Sequence, residues 1–291
     1  MKNPPLLASI LLFLSVACTL AGATLPPPEV LTQTGIAYYE APALAQADEY
    51  QTNHCKLDIR YPANRKGFAT VVWFHGGGLT GGKRGFPDLR DPEIAVVAVS
   101  YRLSPKVALP GFLEDAATAT AWVLRHIEGY GGDPAKVFVS GHSAGGYLAA
   151  MIGMDPRWLA PHGLSHQQLA GLIPVSAQVT THFHVKKLRG DTGPELRPLI
   201  DEFAPLYYAA GRLPPICLIT GDRQIEYKSR VEENQLLAVT LRNLGHPRVE
   251  FHEMGGLDHV GIAQGGMILV RQFVKRTVEA ASATGPTAPR N

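Results

Sequence analysis

Apolar runs recur along the chain as CKLDIRYP (55–62), ATVVWFH (69–75), IAVVAVSY (94–101), KVFVSG (136–141), LIPVSA (172–177), ICLITG (216–221) and VEFHEM (249–254). They are rich in Val and Ile and continuous instead of alternating, which predicts strands of a parallel sheet covered on both faces. Between them the period changes to that of a helix. Leu113, Ala116, Ala117, Thr120, Val123, Leu124 and Ile127 share one helical face, and the glycines from Gly129 to Gly132, with Pro134, end that helix. A second helix opens at Ser229, whose spacing to Glu232 matches a capping box; it turns Leu237, Leu241 and Leu244 inward and stops at Gly245. Strands alternating with helices predict an α/β class: a doubly wound, mostly parallel sheet with helices on both faces.

The flanks read differently. Lys2 precedes the apolar run LLASILLFLSVACTLAGA, which has signal-peptide length and ends in small residues, so residues 1–23 are expected to be cleaved before Thr24 and the chain exported to the periplasm or beyond. The rival readings are a lipoprotein anchored at Cys18, since Ser15-Val16-Ala17-Cys18 loosely matches a lipobox, and a retained anchor. No other segment is apolar enough to span a membrane, so no span is expected in the mature form. Residues 24–49, with three consecutive prolines at 26–28, read as an extended arm, 50–280 as one domain with an insert near 178–213, and 281–291 as a flexible tail.

Composition narrows the function. A chain of 291 residues, 45% hydrophobic, can bury one sizeable core. Its net charge of +2 is spread without basic blocks, which gives no footprint for nucleic acid. Beyond the leader only Cys55 and Cys217 remain, both in strand-like runs and without a CxxC partner, so they read as buried small hydrophobes; a disulfide between them is the alternative. No metal site is implied.

The chemistry-bearing stretch is Gly141-His142-Ser143-Ala144-Gly145, which joins a predicted strand to a predicted helix. A turn that tight strains the backbone of Ser143 and exposes its hydroxyl at a helix N-terminus, and the flanking glycines remove side chains that would collide. Its plain alternative is a glycine-rich corner. Upstream, Gly76-Gly77-Gly78 follows His75 at a strand end, where backbone N–H groups meet no Cβ; Gly77, Gly78 and Ala144 are the candidate oxyanion donors.

With the order Ser, acid, His, the base comes late. His259, in the loop GGLDHVG, is the candidate; His252 and His246 read as structural, and His182 and His184 as insert residues of pocket rim or surface. The acid must lie between Gly221 and the helix at Ser229. Glu226 is favoured for its reach, with Asp222 as the alternative; Gln224, between them, carries no charge and does not serve. Asp115 reads as a helix start, Asp133 as a turn former and Tyr147 as packing.

Taken together, HGGG (75–78), SYRLSP (100–105), LPGFLEDAATATAWV (109–123), YGGDPAKVFVSGHSAGGYLA (130–149), ITGDRQIEYKSRVEENQLLAVTL (219–241) and GLDHVG (256–261) resemble the α/β-hydrolase superfamily. The similar branch is that of bacterial feruloyl/acetyl-esterase-like and hormone-sensitive-lipase-like carboxylesterases, and the likeness spans roughly 50–278. It implies the α/β-hydrolase fold and a serine carboxylesterase working through an acyl-enzyme, with no metal or organic cofactor. Similar members carry GDxxxE before an R-x-EEN helix, which further favours Glu226. Gln224, and Ala204-Pro205 where Ser-Pro is common, depart from the pattern. The expected partner is a small-molecule or polysaccharide-linked ester, acetyl or feruloyl by resemblance and export. Two alternatives are an arylformamidase-like amide hydrolase on the same residues and a non-catalytic binding protein on the hydrolase fold.

Overall fold

A computed structural model describes residues 26–283. The leader 1–23, with Cys18, lies outside them. In chain order the elements are β1 (Val30–Ala37), α1 (Ala41–Leu44), α2 (Glu49–His54), β2 (Lys56–Pro62), β3 (Phe68–Phe74), β4 (Ala95–Val99), α3 (Gly111–Tyr130) and β5 (Gly132–His142). There follow α4 (Ala144–Met154), β6 (Gly171–Val175), α5 (Phe183–Leu188), β7 (Ile216–Thr220), α6 (Arg230–Asn243), β8 (Val249–Glu253), α7 (Ile262–Gly265) and α8 (Met267–Ala283). They build one sheet in the order β1-β2-β4-β3-β5-β6-β7-β8. From β4 to β8 every pairing is parallel, whereas β1 and β2 run antiparallel to their neighbours.

The continuous apolar runs follow from two-sided burial. In β3, Val72 and Phe74 enter the core shared with α3, α4 and α6, while Val71 and Trp73 enter the core shared with α8. Nearly every position of such a strand is therefore apolar, Thr70 being the buried polar exception in β3. β2 is the exception: Leu57 and Ile59 are buried while Lys56, Asp58 and Arg60 are only half-buried, so CKLDIRYP alternates in practice.

Several expectations need correction. Residues 24–49 are not merely an extended arm, because β1 pairs with β2 and α1 and α2 follow. β1 escapes a hydrophobicity reading since its first six side chains are exposed and its attachment is made by backbone. The tail does not begin at 281: α8 continues to Ala283, its buried face formed by Val270, Phe273 and Val274. No capping box forms at Ser229, whose left-handed φ of 66° removes the extended N-cap geometry that the motif requires. Leu237 and Leu241 are buried as expected, but Leu244, at the C-cap, is 51% exposed.

Asp115 is not a helix start. It is fully buried inside α3, where it takes Arg102 Nε at 2.9 Å and Nη2 at 2.7 Å and the Tyr39 hydroxyl at 2.6 Å. That ion pair ties the segment after β4 to α3 and to the chain after β1. The insert is held to the central helix by Tyr147, whose hydroxyl donates to the Phe203 carbonyl at 2.9 Å. Among the described residues no helix is long and apolar enough to cross a membrane.

Candidate active site

The parallel strands end along one edge, and the candidate residues follow those ends. Ser143 stands between β5 and α4 with φ 55° and ψ −117°, a backbone region that non-glycine residues avoid. Close packing enforces it. A Cβ on Gly145 would sit 2.0 Å from the Phe74 carbonyl oxygen, so no larger residue fits where the elbow crosses β3. The Ser143 N–H donates to the Val175 carbonyl at 2.9 Å, fixing the turn to β6.

Ser143 Oγ lies 2.9 Å from His259 Nε2, and His259 Nδ1 lies 2.6 Å from Glu226 Oε1. Glu226 comes from the loop after β7 and His259 from the loop after β8. The Glu226 side chain is 1% exposed. Burial alone would raise its carboxyl, but hydrogen bonds from His259, the Tyr227 N–H and Ser176 outweigh that and hold it at about 2. A carboxylate so held accepts the imidazole N–H and leaves Nε2 free to exchange a proton with the serine hydroxyl.

Asp222, the alternative acid, is not brought to His259. Its oxygens accept the N–H groups of Gln224 at 2.9 Å and Gly256 at 2.8 Å, so it fastens the acid loop to the histidine loop through backbone.

Gly77 and Gly78 have φ of 119° and 63°, and a Cβ on Gly77 would lie 2.2 Å from the Gly81 oxygen. Their N–H groups donate no hydrogen bond among the described residues. The N–H of Ala144 opens α4, where the first amides lack helical partners. The glycine loop is anchored behind: the Tyr101 hydroxyl donates to the His75 carbonyl at 2.7 Å, and the two rings stack with centroids 4.4 Å apart.

Two residues of the site escaped the sequence reading. Ser176, at the end of β6, donates from Oγ to Glu226 Oε2 at 2.8 Å and lies 3.0 Å from His259 Nδ1. It is fully buried with φ 46°, a strained backbone whose only sequence sign is a polar residue next to last in the run LIPVSA. His142, the variable position beside the nucleophile candidate, donates from Nε2 to the backbone carbonyl of His259 at 2.7 Å. Burial and the neighbouring His259 hold its imidazole down to about 4, hence neutral.

The remaining histidines sort by contact. His246 bonds the Leu213 carbonyl and His252 pairs with Glu250, both structural. His182 is not at a surface: it is 1% exposed, packs between Tyr147 and Phe183, and caps α5. Cys55 and Cys217 are buried free thiols, not a disulfide. On β7 and β8, Cys217, Glu250 and His252 bring ligand-type atoms within 4.8 Å of one another, but Glu250 already holds Arg276 at 2.7 Å.

A cavity of about 490 Å³ opens over the site, lined by Leu196, Ile225, Glu226, Tyr227 and His259 among others. The family model described as BD-FAE matches residues 57–160. LipN, a carboxylic ester hydrolase of Mycobacterium tuberculosis, is 38% identical over 65% of this chain and 56% of its own length. ICMEL1 of Arabidopsis thaliana, a probable isoprenylcysteine alpha-carbonyl methylesterase, is 26% identical over 73% of this chain and 50% of its own. Among solved structures, Thermogutta terrifontis esterase 2 phosphorylated by paraoxon is similar with a TM-score of 0.63 and 23% identity, covering 89% of this chain and 96% of that one. At that identity the likeness is one of fold. The chain spans about half the length of the two relatives, 56% and 50%.

Proposed function

We propose, from the premise that this chain belongs to the α/β-hydrolase esterase family of the hormone-sensitive-lipase-like type, that it is a serine carboxylesterase. Ser143 is the nucleophile, His259 the base and Glu226 the acid. One observation carries the reading: the unbroken chain of contacts from Ser143 Oγ through His259 to Glu226, at 2.9 and 2.6 Å, on a strained strand-to-helix turn.

As Ser143 Oγ bonds to the ester carbonyl carbon, its proton passes to His259 Nε2 and Glu226 stabilises the resulting imidazolium. The N–H groups of Gly77, Gly78 and Ala144 receive the developing oxyanion. Collapse of the tetrahedral species breaks the bond to the alcohol, which leaves with the proton from His259. Water then attacks the acyl-enzyme by the same route, releasing the acid and restoring Ser143.

The substrates of this reading are small or polysaccharide-linked esters with acetyl or feruloyl groups, reached outside the cytoplasm after cleavage near Thr24. Acetyl xylan, methyl ferulate and p-nitrophenyl esters of rising length define the acyl preference, and cell fractionation defines the compartment. Ser143→Ala is expected to abolish both p-nitrophenyl acetate hydrolysis and labelling by a fluorophosphonate. Turnover by a folded Ser143→Ala protein sinks the assignment.

A further inference from the structure

Arg230, the first residue of α6, is an electrostatic anomaly beside this site. It is 4% exposed, and its Nε and Nη1 are buried without a hydrogen-bond partner. Its guanidinium carbon lies 5.7 Å from the centroid of the Tyr227 ring, and no carboxylate among the described residues is within ion-pair distance. The acidic groups whose fields reach it are committed elsewhere. Glu226 serves His259, Ser176 and two backbone amides, and Glu233 Oε2 accepts the N–H groups of Val179 and Thr180 at 3.2 and 3.4 Å. Burying a charged group without a matched partner costs several kcal/mol. A partner from outside the chain would recover part of that cost.

The surroundings say what shape that partner has. Arg230 lines a small cavity of about 10 Å³ with Phe183, Glu195, Leu196, Tyr227, Lys228 and Glu233, and Glu195, Leu196, Tyr227 and Lys228 also line the larger cavity that reaches Glu226 and His259. The Phe183 and Tyr227 rings run nearly parallel, 19° apart with centroids separated by 6.4 Å. Lys228 makes no ion pair or hydrogen bond among the described residues, whereas Glu195 at the rim is answered by Lys187 at 3.6 Å. The small cavity at Arg230 therefore adjoins the larger one across Leu196, Tyr227 and Lys228, which sets two cations without ion-pair or hydrogen-bond partners beside the apolar, aromatic wall near the reacting groups.

We propose that Arg230, supported by Lys228, is an anion subsite that selects esters carrying a second, free carboxylate on an apolar spacer. This rests on the esterase reading and adds its substrate class. The planar guanidinium presents paired donors that match a carboxylate, and a desolvated site strengthens the contact. The carboxylate is carried by either the acyl or the alcohol part, and two arms separate them.

In the acyl arm, mono-4-nitrophenyl glutarate is compared with 4-nitrophenyl butyrate. In the alcohol arm, 4-acetoxybenzoate is compared with 4-acetoxybenzamide. The expected result is a kcat/KM ratio, acid over neutral, above one in one arm. That ratio falls about tenfold in Arg230→Gln, recovers in part in Arg230→Lys, and declines with added salt. Ratios below one in both arms, or a ratio that Arg230→Gln leaves unchanged, overturn the proposal. Should Arg230→Gln fail to fold, calorimetry on the wild type decides: glutarate is expected to bind and glutaramide not, and equal behaviour of the two refutes the subsite. That measurement does not depend on turnover. A protein that hydrolyses neutral esters without preferring acidic ones refutes the subsite alone, while absence of hydrolysis and of fluorophosphonate labelling refutes the esterase reading itself.

Discussion

Replacing Glu226 by Gln removes a charge while keeping the shape and one acceptor oxygen, so it isolates what the carboxylate contributes. The carboxyl is held at about 2 against an ordinary 4.5, which corresponds to about 3 kcal/mol favouring the ionised form. The side chain is 1% exposed, so solvent screening takes little from that figure. Two consequences separate. Without the negative charge the imidazolium formed on attack loses its partner, and kcat for p-nitrophenyl acetate at neutral pH is expected to fall by roughly a thousandfold. Stability gains a different pH dependence. Because the folded value is the lower one, the contribution is complete above about 4.5 and is lost as pH falls through about 2. Urea midpoints of the wild type should therefore drop across that window, and those of Glu226→Gln should drop less. The companion variant Asp222→Asn keeps most of its kcat, since Asp222 accepts only the amides of Gln224 and Gly256. A Glu226→Gln protein within tenfold of the wild-type kcat, with the loss carried by Asp222→Asn, refutes the reasoning.

Further outcomes follow from the same geometry. Ser176→Ala removes the hydroxyl from Glu226 Oε2 and is expected to lower kcat about tenfold with little change in KM, while Ser176→Gly should also relax the φ of 46° and raise the melting temperature relative to Ala; steady-state kinetics and calorimetry check both. Asp115→Asn leaves Arg102 without its buried counter-charge, and a loss of about 3 kcal/mol, near 10 °C in melting temperature, is expected by thermal denaturation. Gly145→Ala places a methyl where only 2.0 Å separates it from the Phe74 oxygen, so soluble yield and fluorophosphonate labelling should both collapse.

What was legible in the sequence is what local pattern encodes. The strands from β3 to β7 announce themselves because both faces are buried, which compels unbroken Val and Ile. The elbow is legible because its glycines answer a steric demand within five residues. β1 was not legible, since a strand whose side chains mostly face water has nothing but backbone to declare it. Asp115 looked like a helix start because its partners, Arg102, Tyr39 and Cys55, are joined to it only by the fold. Ser176 failed for the same reason: its contacts with Glu226 and His259 span 50 and 83 residues. The choice between Glu226 and Asp222 was a matter of reach, and reach is set by a loop that only tertiary packing draws.

The hydrogen bond from His142 to the carbonyl of His259 carries a mechanical meaning. Its donor is the neighbour of Ser143 in the chain and its acceptor belongs to the ring that faces Ser143, so the two loops pivot on a common pin. A shift of one loop against the other that widened the spacing between hydroxyl and imidazole would also have to stretch this bond. The 2.9 Å spacing of hydroxyl and imidazole is thereby tied to a second contact between residues 117 apart in the chain.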